Sequence, residues 1–169
     1  MSRWRPTPPR SSPYITLEGF NRLETELKGL WIRRGDVTHH LAAAAAEGDR
    51  SENAEYIYRK KELREIDRRI RYLQKRLPNL TVVNQTPDNQ NKVFFGAWVS
   101  LENKAGDERT FKIVGADEID TTRGHISIDA PLARALLKRE LEDDVNVKTP
   151  SGDVSWFITD IRYEKERDH

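Results

Sequence analysis

Two stretches of apolar residues spaced by threes and fours, with a short break between them, constrain this chain more than anything else in its sequence. Thr16 is a good N-cap residue, and after it Phe20, Leu23, Leu27, Leu30, Arg34, Val37, Leu41 and Ala44 alternate steps of three and four. Tyr56, Arg59, Leu63, Ile66, Ile70, Leu73 and Leu77 repeat the pattern. Each stripe needs a surface to bury against. Only Glu47-Gly48-Asp49-Arg50-Ser51 separates the two segments, so the spacing predicts antiparallel neighbours, an αα-hairpin. At about 30 residues per helix and ~1.5 Å of rise, this is a rod on the order of 45 Å long. Toward the turn the first seam offers only Leu41 and then Ala42 to Ala46, which makes a slender tip. A need to enter something narrow would explain those alanines, and so would their high helix propensity.

The pattern changes near Leu77-Pro78-Asn79, where the helical period stops. Beyond it, residues 80–83, 93–101, 110–115, 125–129, 145–147 and 154–163 read as strands rich in Val, Ile, Phe and Trp. Residues 131–138 read as a short helix with Pro131 in its first turn. The expected organisation is α+β: a Pro- and Arg-rich disordered tail over 1–13, a coiled-coil hairpin over 14–79, and an antiparallel β-sheet domain with one short helix over 80–169.

Charge divides along the same line. Residues 1–79 hold 17 Lys and Arg against 11 Asp and Glu, whereas residues 80–169 hold 12 against 17. The overall charge of +1 thus hides a dipolar molecule whose basic half suits a polyanion and whose acidic half suits a different surface. No run approaches the roughly 20 apolar residues of a membrane span, and the first residues lack the apolar block of a secretory signal. The chain has no cysteine, which excludes disulfides, iron–sulfur clusters and thiolate zinc sites. A cytoplasmic protein without membrane contact is the expectation.

Candidate functional residues gather at the turn and along the second helix. Glu47, Asp49, Glu52 and Glu55 cluster at the tip, and Asp49 with Glu52 have the spacing that brings two carboxylates together on one helical turn. Such a pair offers hard oxygen ligands to Mg²⁺ but fills only part of its octahedral shell, so it would complete another molecule's site. The same spacing is that of a capping box, with Asp49 as N-cap and Glu52 at N3. Both readings stand at this point. Along the second helix Lys60, Arg64, Arg68, Arg71 and Lys75 follow one another at steps of three and four, flanked by Lys61, and residues 59–76 carry nine basic against three acidic residues. A phosphate backbone would be held there by charge, without base readout; the competing reading is a salt-bridged flank of the coiled coil. His39 and His40 are adjacent and point to different faces, so they are not a metal pair. No nucleophile elbow or phosphate-cradling glycine loop is present.

Glu47-Gly-Asp-Arg-Ser-Glu-Asn-Ala-Glu-Tyr56, the run from Arg59-Lys-Lys to Arg71-Tyr-Leu73, Val93-Phe-Phe-Gly-Ala-Trp98 and Ile128-Asp-Ala-Pro-Leu-Ala-Arg-Ala-Leu136 are recognisable together. From about Tyr14 to Tyr163 the chain resembles the bacterial Gre transcript-cleavage factors, and their GreB-like branch rather than the GreA-like one. That resemblance implies a coiled-coil hairpin and a C-terminal domain of FKBP-like fold that docks on the rim coiled coil of the RNA polymerase secondary channel. It further implies that the tip carboxylates, here Asp49 and Glu52, help hold a second Mg²⁺ shared with the polymerase and orient water for hydrolysis of backtracked RNA. The factor would bind no cofactor alone and would act as a monomer that stimulates the polymerase's own activity. Family resemblance also supports contact of the basic patch (Lys60, Lys61, Arg64, Arg68, Arg71) with the RNA 3′ end, although Glu62 stands where a basic residue is common. It marks Asp129 and Pro131 for docking, in a motif where Ala130 replaces a frequent Ser. A channel-binding regulator that does not stimulate cleavage is the alternative, and it would keep the rod but lose the paired acids. A prolyl isomerase would rest on fold analogy alone.

Overall fold

A computed structural model describes residues 10–48 and 53–164. Its elements run β1 (Tyr14–Ile15), α1 (Leu17–Ala45), α2 (Ala54–Arg76), β2 (Thr81–Val82), β3 (Trp98–Asn103), β4 (Glu108–Val114), β5 (His125–Ser127), α3 (Pro131–Leu136), β6 (Asp144–Thr149) and β7 (Gly152–Arg162). Contacts divide the described residues into two compact units, one holding those up to Gly19 together with those from Thr81 on, the other those between Phe20 and Leu80.

In the helical unit the two seams meet as their spacing requires. Val37, Ile66 and Ile70 form a buried cluster with Leu27, Leu30 and Leu63 packed against it, and Leu23, Ala44 and Leu73 are buried as well. Ion pairs fix the direction. Glu26 receives a bidentate bond from Arg69 (2.8 and 2.9 Å), Arg33 reaches Glu62 (2.6 Å) and Arg34 reaches Asp67 (2.7 Å). Near the turn the Asn53 amide donates to the Ala44 carbonyl (2.9 Å). From Glu26 to Ala44 the partners run from Arg69 back to Asn53, the signature of antiparallel helices. Arg34, the polar break in the first seam, is half-buried and neutralised across the interface by Asp67.

The other unit is built on a five-stranded sheet in the order β5-β4-β3-β7-β6. Val99, Leu101, Ile113, Val145, Val147 and Ile158 share a buried core with Ala133 and Leu136 of α3, as alternation along the strands demands. Three features depart from the sequence expectation. The sheet is mixed, because β5 runs parallel to β4; residues 115–124 carry the chain back to the level of Lys112 before β5 begins, which a tight hairpin cannot do. The run expected over 93–101 is extended only from Trp98, since Gly96 adopts φ +86° and its N–H turns to the Ile113 carbonyl (2.8 Å). Ser12 and Pro13, expected in a disordered tail, are tied down. The Ser12 N–H and hydroxyl donate to the Asp129 carboxylate, and the Pro13 carbonyl accepts from Thr81 N–H (2.8 Å). Residues 14–15 then pair in parallel with β2, so the segment before Gly19 belongs with the sheet rather than with the hairpin.

Candidate functional site

The end of the hairpin is organised by Asn53. Its side-chain oxygen accepts from Tyr56 N–H (3.1 Å), capping α2, while its amide N–H₂ satisfies the Ala44 carbonyl at the end of α1. One short side chain thus pairs an orphan donor of one helix and an orphan acceptor of the other. On the α1 side, Glu47 N–H closes on the Ala44 carbonyl (3.2 Å), and Gly48 follows at φ +125°, a conformation open to glycine. The described start of α2 is therefore Ala54 with Asn53 as its cap, which differs from the capping box offered by spacing, with Asp49 as N-cap. Asp49 and Glu52 themselves lie outside the described residues. Sequence reasoning passed over Asn53, although an Asn directly before Ala-Glu-Tyr is itself a helix-start signal.

The basic residues of α2 before Arg76 divide into two groups. Arg59 and Arg69 are structural: Arg59 binds Glu55 (2.8 Å) and Glu62 (3.2 Å), and Arg69 is held by Glu26. Glu62 is equally engaged. The hydrogen bond from Arg33 holds its carboxyl below the usual carboxylate range, against some desolvation, with Arg59 adding in the same direction. An acid at this position thus serves the helix pair. Lys60, Lys61, Arg64, Arg68, Arg71 and Lys75 form the second group. All are exposed, and among the described residues none makes an ion pair. Their three- and four-residue steps put Lys60, Arg64, Arg68, Arg71 and Lys75 on one face of a continuous helix. Such a face is a linear array of charge for an extended polyanion. Its cations lack the carboxylates that a salt-bridged flank would supply.

The docking motif lies between β5 and α3. Asp129 is half-buried, its carboxylate taken by Ser12 and its N–H donated to Ser127 Oγ (3.0 Å). Pro131 is exposed at the first position of α3, where its missing N–H costs nothing. Ala130 stands at the N-cap and has no side chain to offer, so α3 begins without a side-chain cap. His39 and His40 are both exposed, with ring centroids 5.8 Å apart. Among the described residues no group of three or more His, Asp or Glu side chains is placed to hold a metal, and no helix is long and apolar enough to cross a membrane.

Comparison with known proteins agrees in both halves of the chain. Residues 13–82 match the family model described as transcription elongation factor, N-terminal, and residues 87–163 the one described as transcription elongation factor, GreA/GreB, C-term. The chain is 54% identical over 164 residues to the transcription elongation factor GreB of Pseudomonas aeruginosa, a match covering 96% of this chain and 98% of that one. It is 56% identical over 155 residues to the GreB of Pasteurella multocida, covering 91% and 98%. A solved structure described as prokaryotic transcription elongation factor GreA/GreB from Nitrosomonas europaea aligns with 90% of this chain and all of its own length, at 21% identity and a TM-score of 0.41.

Proposed function

Because the chain belongs to the GreA/GreB family of transcription elongation factors, whose members act on RNA polymerase, we propose that it enters the polymerase secondary channel tip first and stimulates cleavage of backtracked RNA. In this reading Asp49 and Glu52 supply oxygen ligands to a Mg²⁺ that the polymerase holds only weakly by itself. A Mg²⁺ held there would supply charge stabilisation to the hydrolysis. The catalyst is the polymerase. This chain contributes ligands, and two carboxylates are too few to fix Mg²⁺ on their own. Lys60, Lys61, Arg64, Arg68 and Arg71 guide the extruded RNA 3′ end, and Asp129 and Pro131 meet the rim coiled coil. The factor works in the cytoplasm as a monomer.

The observation that carries this reading is the Asn53 cap. With α2 started by Asn53 and the end of α1 tied to it, the capping duty that competed for Asp49 already has an owner. A regulator that merely occupies the channel has no use for two acids at this point of the tip.

Defined backtracked complexes test the proposal. Polymerase alone, polymerase with this protein, and polymerase with the Asp49→Asn, Glu52→Gln variant are compared for RNA hydrolysis and for displacement of a labelled channel-binding competitor. The variant is expected to compete as well as the parent while losing stimulated hydrolysis. Hydrolysis at the parent rate would remove Asp49 and Glu52 from the mechanism.

A further inference from the structure

The cationic face of α2 is accompanied by exposed aromatic and apolar side chains that the hairpin does not use. Tyr58 keeps 60% of its surface exposed and Ile57 53%, both within the first turn and a half of α2. Neither belongs to the buried seam. Ile57 precedes Lys60 and Lys61 by three and four residues and Arg64 by seven, which puts it in line with the free cations at their tip-ward end. Tyr58 stands beside that line, three residues before Lys61. The Arg59 guanidinium lies 5.6 Å from the Tyr58 ring centroid. Glu55 and Glu62 hold that guanidinium at 2.8 and 3.2 Å. The ring is therefore backed by a fixed cation while most of the residue faces outward.

Phosphate contacts alone are satisfied by lysine and arginine and give no reason for a large exposed ring among them. Single-stranded nucleic acid supplies one. Proteins that hold unpaired strands combine a positive track for the backbone with aromatic faces on which bases stack, and every base has such a face. We propose that Tyr58 is a stacking residue for an unpaired base of the extruded RNA, with Arg59 backing the ring and Ile57 offering apolar contact to the neighbouring nucleotide. The inference rests on the proposed approach of this helix to extruded RNA. It adds that the bases, and not only the phosphates, are held. Because stacking is tolerant of base identity, the contact fits any transcript sequence but requires that a base be present.

The experiment uses the full chain with stalled polymerase complexes whose extruded 3′ nucleotides are either normal or abasic, equal in phosphate charge. Occupancy of labelled factor is titrated by fluorescence anisotropy, a readout that does not depend on cleavage. Tyr58→Leu should weaken binding to the normal complex by about fivefold or more and leave binding to the abasic complex unchanged. Tyr58→Phe should bind both like the parent. Arg64→Ala with Arg68→Ala should weaken both complexes alike and reduce the salt sensitivity of binding. If Tyr58→Leu weakens both complexes equally, or neither, the stacking role is overturned. If only the Arg64, Arg68 variant is without effect, the phosphate reading of those cations falls while the stacking role stands.

Discussion

The carboxylate of Glu118 receives both the backbone N–H and the hydroxyl of Thr16, so the residue that caps α1 is itself anchored by a buried acid 102 positions further along the chain. Thr16 Oγ1 accepts from Gly19 N–H at 3.0 Å, and Glu118 takes a third donor, Gly115 N–H, at 2.7 Å. Every oxygen in this cluster has a partner. The fit leaves no room for change, since a Cβ on Gly19 would lie 2.0 Å from Glu118 Oε1 and one on Gly115 would lie 2.1 Å from the Tyr14 carbonyl oxygen.

Removing that carboxylate leaves donors stranded in a buried place. Glu118→Ala is expected to cost about 3 kcal/mol, because several hydrogen bonds to a charged acceptor are lost and the N–H groups gain no substitute. Urea denaturation of the variant measures this. A loss below about 1 kcal/mol would mean that water reaches Thr16 and Gly115 freely.

Asn53 separates its two duties by substitution. Asn53→Ala removes both the cap and the bond to Ala44 and should cost about 2 kcal/mol. Asn53→Asp retains an acceptor for Tyr56 N–H but loses the donor to Ala44, so it should cost roughly half as much. Far-UV circular dichroism during thermal melting ranks the three proteins, and equal melting of the two variants would contradict the split.

His125 predicts a pH dependence. It is buried at 6% exposure, and its Nε2 has no partner among the described residues. Burial, more than repulsion from Arg123 and Lys112, pushes its pKa below the ordinary 6.5, while Asp120 and Glu118 act in the opposite sense. A depressed folded-state pKa means that the unfolded chain takes the proton first, so the stabilisation is complete above about pH 6.5 and is lost as pH falls below it. His125→Phe should flatten stability between about pH 7 and 5. Glu62, Asp120 and Glu164, also depressed, act in the carboxylate range below that window. A parent protein with level stability from pH 7 to 5 would refute the assignment.

Ala130 offers a gain. Ala130→Ser restores an acceptor at the start of α3 and should stabilise the protein by about 1 kcal/mol. Its melting temperature would rise by a few degrees. No rise would show that the first N–H groups of α3 are already satisfied by solvent.

The helical half was legible because burial repeats locally. Leu23, Val37, Ala44, Ile66, Ile70 and Leu73 are all buried where the seams placed them. Arg34 could be seen as a break but not as a solved one, because Asp67 lies 33 positions away and only the pairing of helices brings it near. All five strands of the sheet were also visible, each overlapping a stretch read as a strand. What the pattern could not carry was direction and partnership: the parallel β4–β5 pair, the turn at Gly96, and the joining of Tyr14 to Thr81 all depend on contacts between distant segments. At the candidate site, spacing offered Asp49 two roles, and Asn53 held the answer to one of them. The free cations of α2 were countable in the sequence, but which arginines were already spent on Glu26, Glu55 and Glu62 was not.

The tie from Ser12 to Asp129 spans 117 positions, and that separation governs the order of events on the ribosome. At roughly 5–20 residues per second, the opening segment emerges on the order of ten seconds before its carboxylate partner has been made. The hairpin, whose contacts are closer in sequence, can assemble during that interval and the first strand can pair once Thr81 and Val82 are made, whereas Ser12 must wait for Asp129.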